Sequence, residues 1–177
     1  EAGFMNSGQA CIAGTRILVP ASRKAEFEQE MVAAIAQFPA GEPRDAPTVI
    51  GPMVSRKQWQ RVQDYIRLGQ QEGARLLVGG VGRVEGAEKG WSVQPTIFTD
   101  VNNQMRIARE EIFGPVLVVI PYADDAEALA IRWHMGAYDD AAKGGSKVLS
   151  AAMAATPLVY ALHAADMRAE QKENAQQ

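Results

Sequence analysis

Phe4-Met5-Asn6-Ser7-Gly8-Gln9-Ala10-Cys11, continued by Ile12-Ala13-Gly14-Thr15-Arg16, holds the only cysteine of the 177-residue chain. A thiol is the strongest nucleophile among the side chains. It attacks as the thiolate, so its free pKa of about 8.5 must be lowered for work at neutral pH. Asn6 and Ser7 are good helix N-caps, and Gly8 permits a tight turn. The expectation is a short helix starting there, with Cys11 in its first turn. Unpaired N–H groups and the positive dipole end would then favour the thiolate and bind an oxyanion. The plain alternative is a small buried hydrophobe.

Working outward, Thr15-Arg16-Ile17-Leu18-Val19-Pro20 is a short β-type run ended by proline. Ser22 can cap a helix running to Phe38, with Phe27, Met31, Ala34, Ile35 and Phe38 on one face. Pro39 to Pro47 is a loop. Ser55-Arg56-Lys57-Gln58 is a capping box, the serine and the glutamine each able to satisfy a backbone donor. It opens a helix that turns Trp59, Val62, Ile66 and Leu68 inward and stops at Gly73. Arg75-Leu76-Leu77-Val78 reads as a buried parallel strand. Val81 to Lys89 is a polar loop, and Trp91 to Phe98, carrying Pro95, reads as an edge or irregular strand. Gln104 to Glu110 fits a short helix, and Leu117 to Tyr122 is the clearest strand. Asp124 or Asp125 then caps a helix carrying Leu129 and Ile131. This alternation argues for an α/β fold with a mostly parallel sheet flanked by helices.

A hydrophobic fraction of 47% supports a buried core rather than disorder. The net charge of −3 gives no footprint for nucleic acid or an anionic membrane. A single cysteine excludes an internal disulfide framework and fits a reducing compartment, hence a cytoplasmic location. With two histidines, His134 and His163, beside that one cysteine, no metal cluster is expected. Glu1-Ala2-Gly3-Phe4 shows no secretory signal.

The run from Asn6 to Arg16 resembles the nucleophile signature of the aldehyde dehydrogenase superfamily. Glu110-Glu111-Ile112-Phe113-Gly114-Pro115-Val116 resembles its Glu-x-Phe-Gly-Pro motif. Between them, Ile50-Gly51-Pro52-Met53 and Val93-Gln94-Pro95-Thr96-Ile97 read as further landmarks in the right order. The resemblance implies the catalytic-domain fold of that family over residues 1–131. It implies that Cys11 attacks an aldehyde to give a thiohemiacetal. Hydride loss to NAD or NADP leaves a thioester, which water releases as the carboxylic acid. Glu111 matches the residue that binds the nicotinamide-side ribose, and a carboxylate can accept both of its hydroxyls. Phe113 matches the aromatic beside the nicotinamide. Gln58 and Arg61 align with positions that approach the ribose and phosphate, Arg61 replacing a frequent lysine.

The same resemblance shows what these residues do not supply. The family's general base, its oxyanion asparagine and its main dinucleotide domain all lie upstream of this stretch. Glu1, Glu110 and Glu111 are poor substitutes, because a base must reach its water geometrically. From Arg132 to Gln177 no family motif is recognisable, and either a frameshift after Ile131 or true divergence accounts for this alanine-rich tail. Within it, Pro157, His163 and the many alanines argue against a membrane helix over Val148 to Ala165. The expected protein is a catalytic-domain fragment with an aldehyde substrate, inactive by itself, from a family that typically forms homo-oligomers. A non-enzymatic remnant or assembly fragment is the alternative, and a thiol-only hydrolase a third reading.

Overall fold

The structure, a computed structural model, describes residues 3–87, 89–124 and 128. The chain divides into two units, Glu1–Pro121 and Tyr122–Gln177. In the second unit, the Ala128 N–H donates to the Asp124 carbonyl at 3.1 Å, an i→i−4 bond where the sequence predicts a helix start. Asp125, Leu129, Ile131, both histidines and the expected domain boundary after Ile131 lie outside the described residues.

The fold is α/β, a mostly parallel sheet flanked by helices. Its strands are β1 (Arg16–Pro20), β2 (Arg75–Val78), β3 (Thr96–Thr99) and β4 (Val116–Tyr122), in the order β1-β4-β3-β2. β3 and β4 run parallel, with Thr96 opposite Val116 and Phe98 opposite Val118. The helices are α1 (Lys24–Ala34), α2 (Arg56–Gln71) and the single turn α3 (Arg106–Arg109).

Two strand expectations are corrected. β2 is an antiparallel edge strand, with Arg75 opposite Thr99, not a buried parallel one. A parallel return needs a crossover element, and among the described residues between Val78 and Thr96 there is no helix. Its apolar run is explained by Leu77 and Val78, which reach the core from the edge. β3, expected to be an edge or irregular strand, is an inner strand with all four residues buried. Pro95 costs it nothing, because the ladder starts one residue later, where the Thr96 N–H donates to the Pro115 carbonyl at 2.9 Å.

On one face of the sheet, Phe4, Val19, Ile50, Ile97, Leu117 and Val119 form a core cluster. Phe27 and Met31 of α1, with Ile35 and Phe38 just beyond it, pack against that cluster at the predicted helical spacing. The helix itself is shorter than expected. Ala21–Arg23 and Ile35–Gln37 are 3-10 turns, and Ser22 makes no capping bond. On the other face α2 approaches closely enough for Gly69 to meet the Phe98 ring. Phe98 is fully buried, a contribution of about 2–3 kcal/mol for a side chain of its size. Val62 and Ile66 are buried as predicted, while Trp59 and Leu68 are half-buried. Among the described residues, no helix is long and apolar enough to cross a membrane.

Candidate active site

The stretch around the cysteine does not form the expected helix. Met5–Gly8 is a single 3-10 turn in which Asn6 (φ 49°), Ser7 (φ 57°) and Gly8 (φ 69°) are all left-handed. Left-handed backbone cannot continue into an α-helix, so Cys11 sits on an exposed turn rather than at a helix start. Strain of about 1–3 kcal/mol per residue persists only when neighbours over-determine the conformation. They do so here. Asn6 Nδ2 donates to the Gln9 carbonyl at 3.0 Å, and Ser7 Oγ donates to the Gly51 carbonyl at 3.1 Å. The Val54 N–H donates to Gln9 Oε1 at 2.9 Å. Phe4 anchors the turn in the core, its ring centroid 5.3 Å from that of Phe38. The Ala13 N–H closes a turn over Cys11 by bonding the Ala10 carbonyl at 3.0 Å. Ile12, beside the thiol, is 84% exposed.

The second motif follows α3, which ends at Arg109, so that Glu110 is already extended. The two consecutive glutamates then part. Glu110 Oε1 accepts from Arg106 Nε at 2.6 Å, and its Oε2 accepts from Tyr65 Oη at 2.5 Å. The bond from Arg106 outweighs burial, and with the Tyr65 bond it holds the Glu110 carboxyl below its usual range. Burial, reinforced by Glu110, pushes the Tyr65 hydroxyl up. Glu111 is exposed, and among the described residues no side chain pairs with its carboxylate. Its main-chain carbonyl instead accepts from Arg61 Nη2 at 2.6 Å.

Phe113 is half-buried and left-handed at φ 62°, an unusual conformation for a bulky residue. Gln58 holds it there. The Gln58 side-chain amide donates to the Ile112 carbonyl at 3.1 Å and to the Phe113 carbonyl at 2.8 Å. Only half of the predicted capping box therefore forms: Ser55 Oγ accepts from the Gln58 N–H at 3.2 Å, while the glutamine side chain reaches the second motif. Gly114 packs so tightly on α2 that a Cβ would lie 2.5 Å from Val62 Cγ2.

The two motifs meet at one point. A Cβ on Gly8 would lie 2.1 Å from the Gly114 carbonyl oxygen, so the cysteine turn rests directly on the Gly114-Pro115 backbone. Gln58 and Arg61 hydrogen-bond the backbone of the segment bearing Glu111 and Phe113, and the turn that carries Cys11 touches that segment's end through Gly8. Gln58 and Arg61, expected near a cofactor, direct donors at the motif's backbone. Sequence reasoning missed Tyr65, although Gln58, Arg61 and Tyr65 follow i, i+3, i+7 spacing and so share a helix face. The arrangement presents an exposed thiol, an uncommitted carboxylate suited to two hydroxyls, and an aromatic face. The carboxylate accepts hydrogen bonds, so these residues could hold a ribose through its hydroxyls beside an aromatic face.

Comparison with known proteins agrees with the geometry. Residues 1–133 match the model of the aldehyde dehydrogenase family. A curated relative from Staphylococcus aureus is 52% identical over 126 residues, covering 71% of this chain and 26% of its own length. Among solved structures, a cysteine-to-alanine variant of aldehyde dehydrogenase C from Pseudomonas syringae, complexed with NAD+ and octanal, is 47% identical. It superposes with a TM-score of 0.71 over 73% of this chain and 27% of that one. A Mycobacterium tuberculosis aldehyde dehydrogenase complexed with NAD+ is 50% identical, with the same TM-score of 0.71 and coverage of 73% and 27%. The chain thus spans about a quarter of the length of the relatives it matches, the 26% of the curated one. Motif order, the packing of one motif on the other and the match over residues 1–133 agree: the chain belongs to the aldehyde dehydrogenase family.

Proposed function

We propose that these residues supply the nucleophile and the nicotinamide-side ribose contacts of an NAD(P)+-dependent aldehyde dehydrogenase. The observation that carries this reading is the contact of Gly8 with Gly114, which seats the cysteine turn on the turn bearing Glu111 and Phe113. Cys11 sulfur, as the thiolate, forms a bond to the aldehyde carbon, and the carbonyl electrons move to oxygen to give a thiohemiacetal anion. Collapse of that oxyanion expels hydride from the same carbon and leaves a thioester on Cys11. A bound NAD(P)+ supplies the acceptor for that hydride. Water then adds to the thioester carbon, and the carbon–sulfur bond breaks to release the carboxylic acid and restore the thiol. Sulfur suits both stages because it attacks well and leaves well.

Glu111 would hold the ribose hydroxyls with its free carboxylate, and Phe113 would flank the nicotinamide. The NAD+ held by the two solved relatives supports this choice of cofactor. Glu110 is not the base for thioester hydrolysis, because both of its oxygens are occupied by Arg106 and Tyr65. With Glu110 engaged in this way, the chain is expected to acylate but not to turn over. The free, exposed thiol of Cys11 fits a reducing, cytoplasmic setting.

The test uses the purified chain with an activated phenyl ester, and then with an aldehyde plus NAD+. The expected result is an ester burst of one equivalent per chain, absent in Cys11→Ala, without sustained NADH formation. An equal burst from Cys11→Ala would overturn the nucleophile, and sustained NADH formation would overturn the expected lack of turnover.

A further inference from the structure

We infer that α2 acts as a bracket that sets the ribose-binding turn, with Gln58, Arg61 and Tyr65 as its positioning residues. This rests on the role proposed above for Glu111 and Phe113. One face of α2 sends bonds to four consecutive residues of the second motif. Tyr65 takes the Glu110 carboxylate at 2.5 Å and Arg61 the Glu111 carbonyl at 2.6 Å. Gln58 takes the carbonyls of Ile112 and Phe113 at 3.1 and 2.8 Å.

Each bond has a distinct consequence. Fixing the Glu111 carbonyl through its main chain leaves the carboxylate exposed and uncommitted. Fixing the carbonyls on both sides of the Phe113 amide offsets the cost of a left-handed phenylalanine, which a free loop would relax. Occupying Glu110 with Tyr65 and Arg106 decides which of the two adjacent glutamates faces solvent. The Arg61 guanidinium lies 4.8 Å from the Tyr65 ring centroid, so the arginine is stacked while it donates. Val62, between them on the helix, is fully buried against Gly114. The bracket therefore stands on a packed helix, with Tyr65 buried, Gln58 half-buried and Arg61 exposed but tied to the Tyr65 ring and the Glu111 carbonyl.

The experiment is 15N relaxation on the 177-residue chain without nucleotide, comparing wild type with the double variant Gln58→Met/Arg61→Met. The substitutions keep side-chain length and remove the donors. Order parameters of Glu111, Ile112 and Phe113 are expected to fall from about 0.85 to below about 0.6, while β3 and β4 keep theirs. Returning a donor at the second position, as Gln58→Met/Arg61→Lys, is expected to restore Glu111 in particular. Where the double variant does not fold, Tyr65→Phe, which removes only the hydroxyl, is expected to loosen Glu110 and Glu111. Unchanged order parameters over 111–113 in a folded double variant, or an even loss across α2, β3 and β4, would overturn the bracket. Titrating NAD+ into wild type separates the two ideas. Responses at Glu111 and Phe113 that Glu111→Gln abolishes support the ribose role, and responses confined to other residues overturn it while the bracket stands.

Discussion

Gly8 and Gly114 touch through backbone alone: the position a Gly8 Cβ would take lies 2.1 Å from the Gly114 carbonyl oxygen. Gly8→Ala must therefore open this contact and also place alanine at φ 69°. Strain and overpacking together are expected to cost roughly 2–5 kcal/mol, read from denaturant midpoints. Wild-type stability in this variant would mean the turns are not packed as described.

Gly114→Ala drives a methyl toward Val62 Cγ2, 2.5 Å from the new Cβ. Val62→Ala opens the same space from the other side. The two variants are expected to be non-additive, the double more stable than the sum of the single losses, by at least about 0.5 kcal/mol. A strictly additive cycle would show that Val62 does not limit the approach of the turn to α2.

The adjacent glutamates are expected to respond oppositely. Glu110→Gln weakens the Arg106 and Tyr65 bonds at a partly exposed site, a loss of roughly 1 kcal/mol once solvent screening is allowed for. It also removes part of what raises the Tyr65 hydroxyl, so Tyr65 should ionise at lower pH than in wild type, though burial still holds it high. Tyrosine difference absorbance reads this directly. Glu111→Gln, at an exposed site, should leave stability within about 0.5 kcal/mol and abolish the nucleotide-induced shifts.

Acid should unfold the chain through a cluster remote from the thiol. Glu28 is drawn toward a higher pKa by burial. Bonds from Lys24, Thr99 and Arg75 outweigh this and hold it at about 2 against an ordinary 4.5. Asp100 is lowered by Lys24 and Arg75 as well. A lowered folded-state pKa gives stability that is fully present above 4.5 and lost as pH falls through about 2. Glu28→Gln should flatten the stability profile in that window. A profile unchanged by the substitution would remove the cluster from the account of acid unfolding.

Much of this fold can be read locally. β4 and the buried face of α2 follow from apolar runs and helical spacing, and Ser55 does cap α2. What escapes the sequence is non-local. Gln63 is fully buried on α2 because the N–H and carbonyl of Gly82 pair with both ends of its amide, and nothing near Gln63 in the chain announces that partner. The placing of β2 at an edge and β3 inside depends on pairing across a long loop. Asn6-Ser7-Gly8 reads equally well as a helix cap or a left-handed turn, and the partners that decide are Gly51, Val54 and Gly114. The candidate site was legible as segments, since its two motifs stand out by residue type. The role of Tyr65 was not, because its partner Glu110 lies 45 positions away.

The left-handed cysteine turn has a consequence for folding. Beyond the local Asn6–Gln9 bond, its holding bonds span 44 and 45 residues of sequence, and its resting place on Gly114 lies farther along still. Loop-closure entropy makes such contacts late ones, formed after local helices and adjacent strands. The nucleophile's surroundings are thus completed only when the Gly51, Val54 and Gly114 segments have all arrived. A partly folded chain carries Cys11 on a slack loop, and the finished geometry around it certifies that the domain has closed.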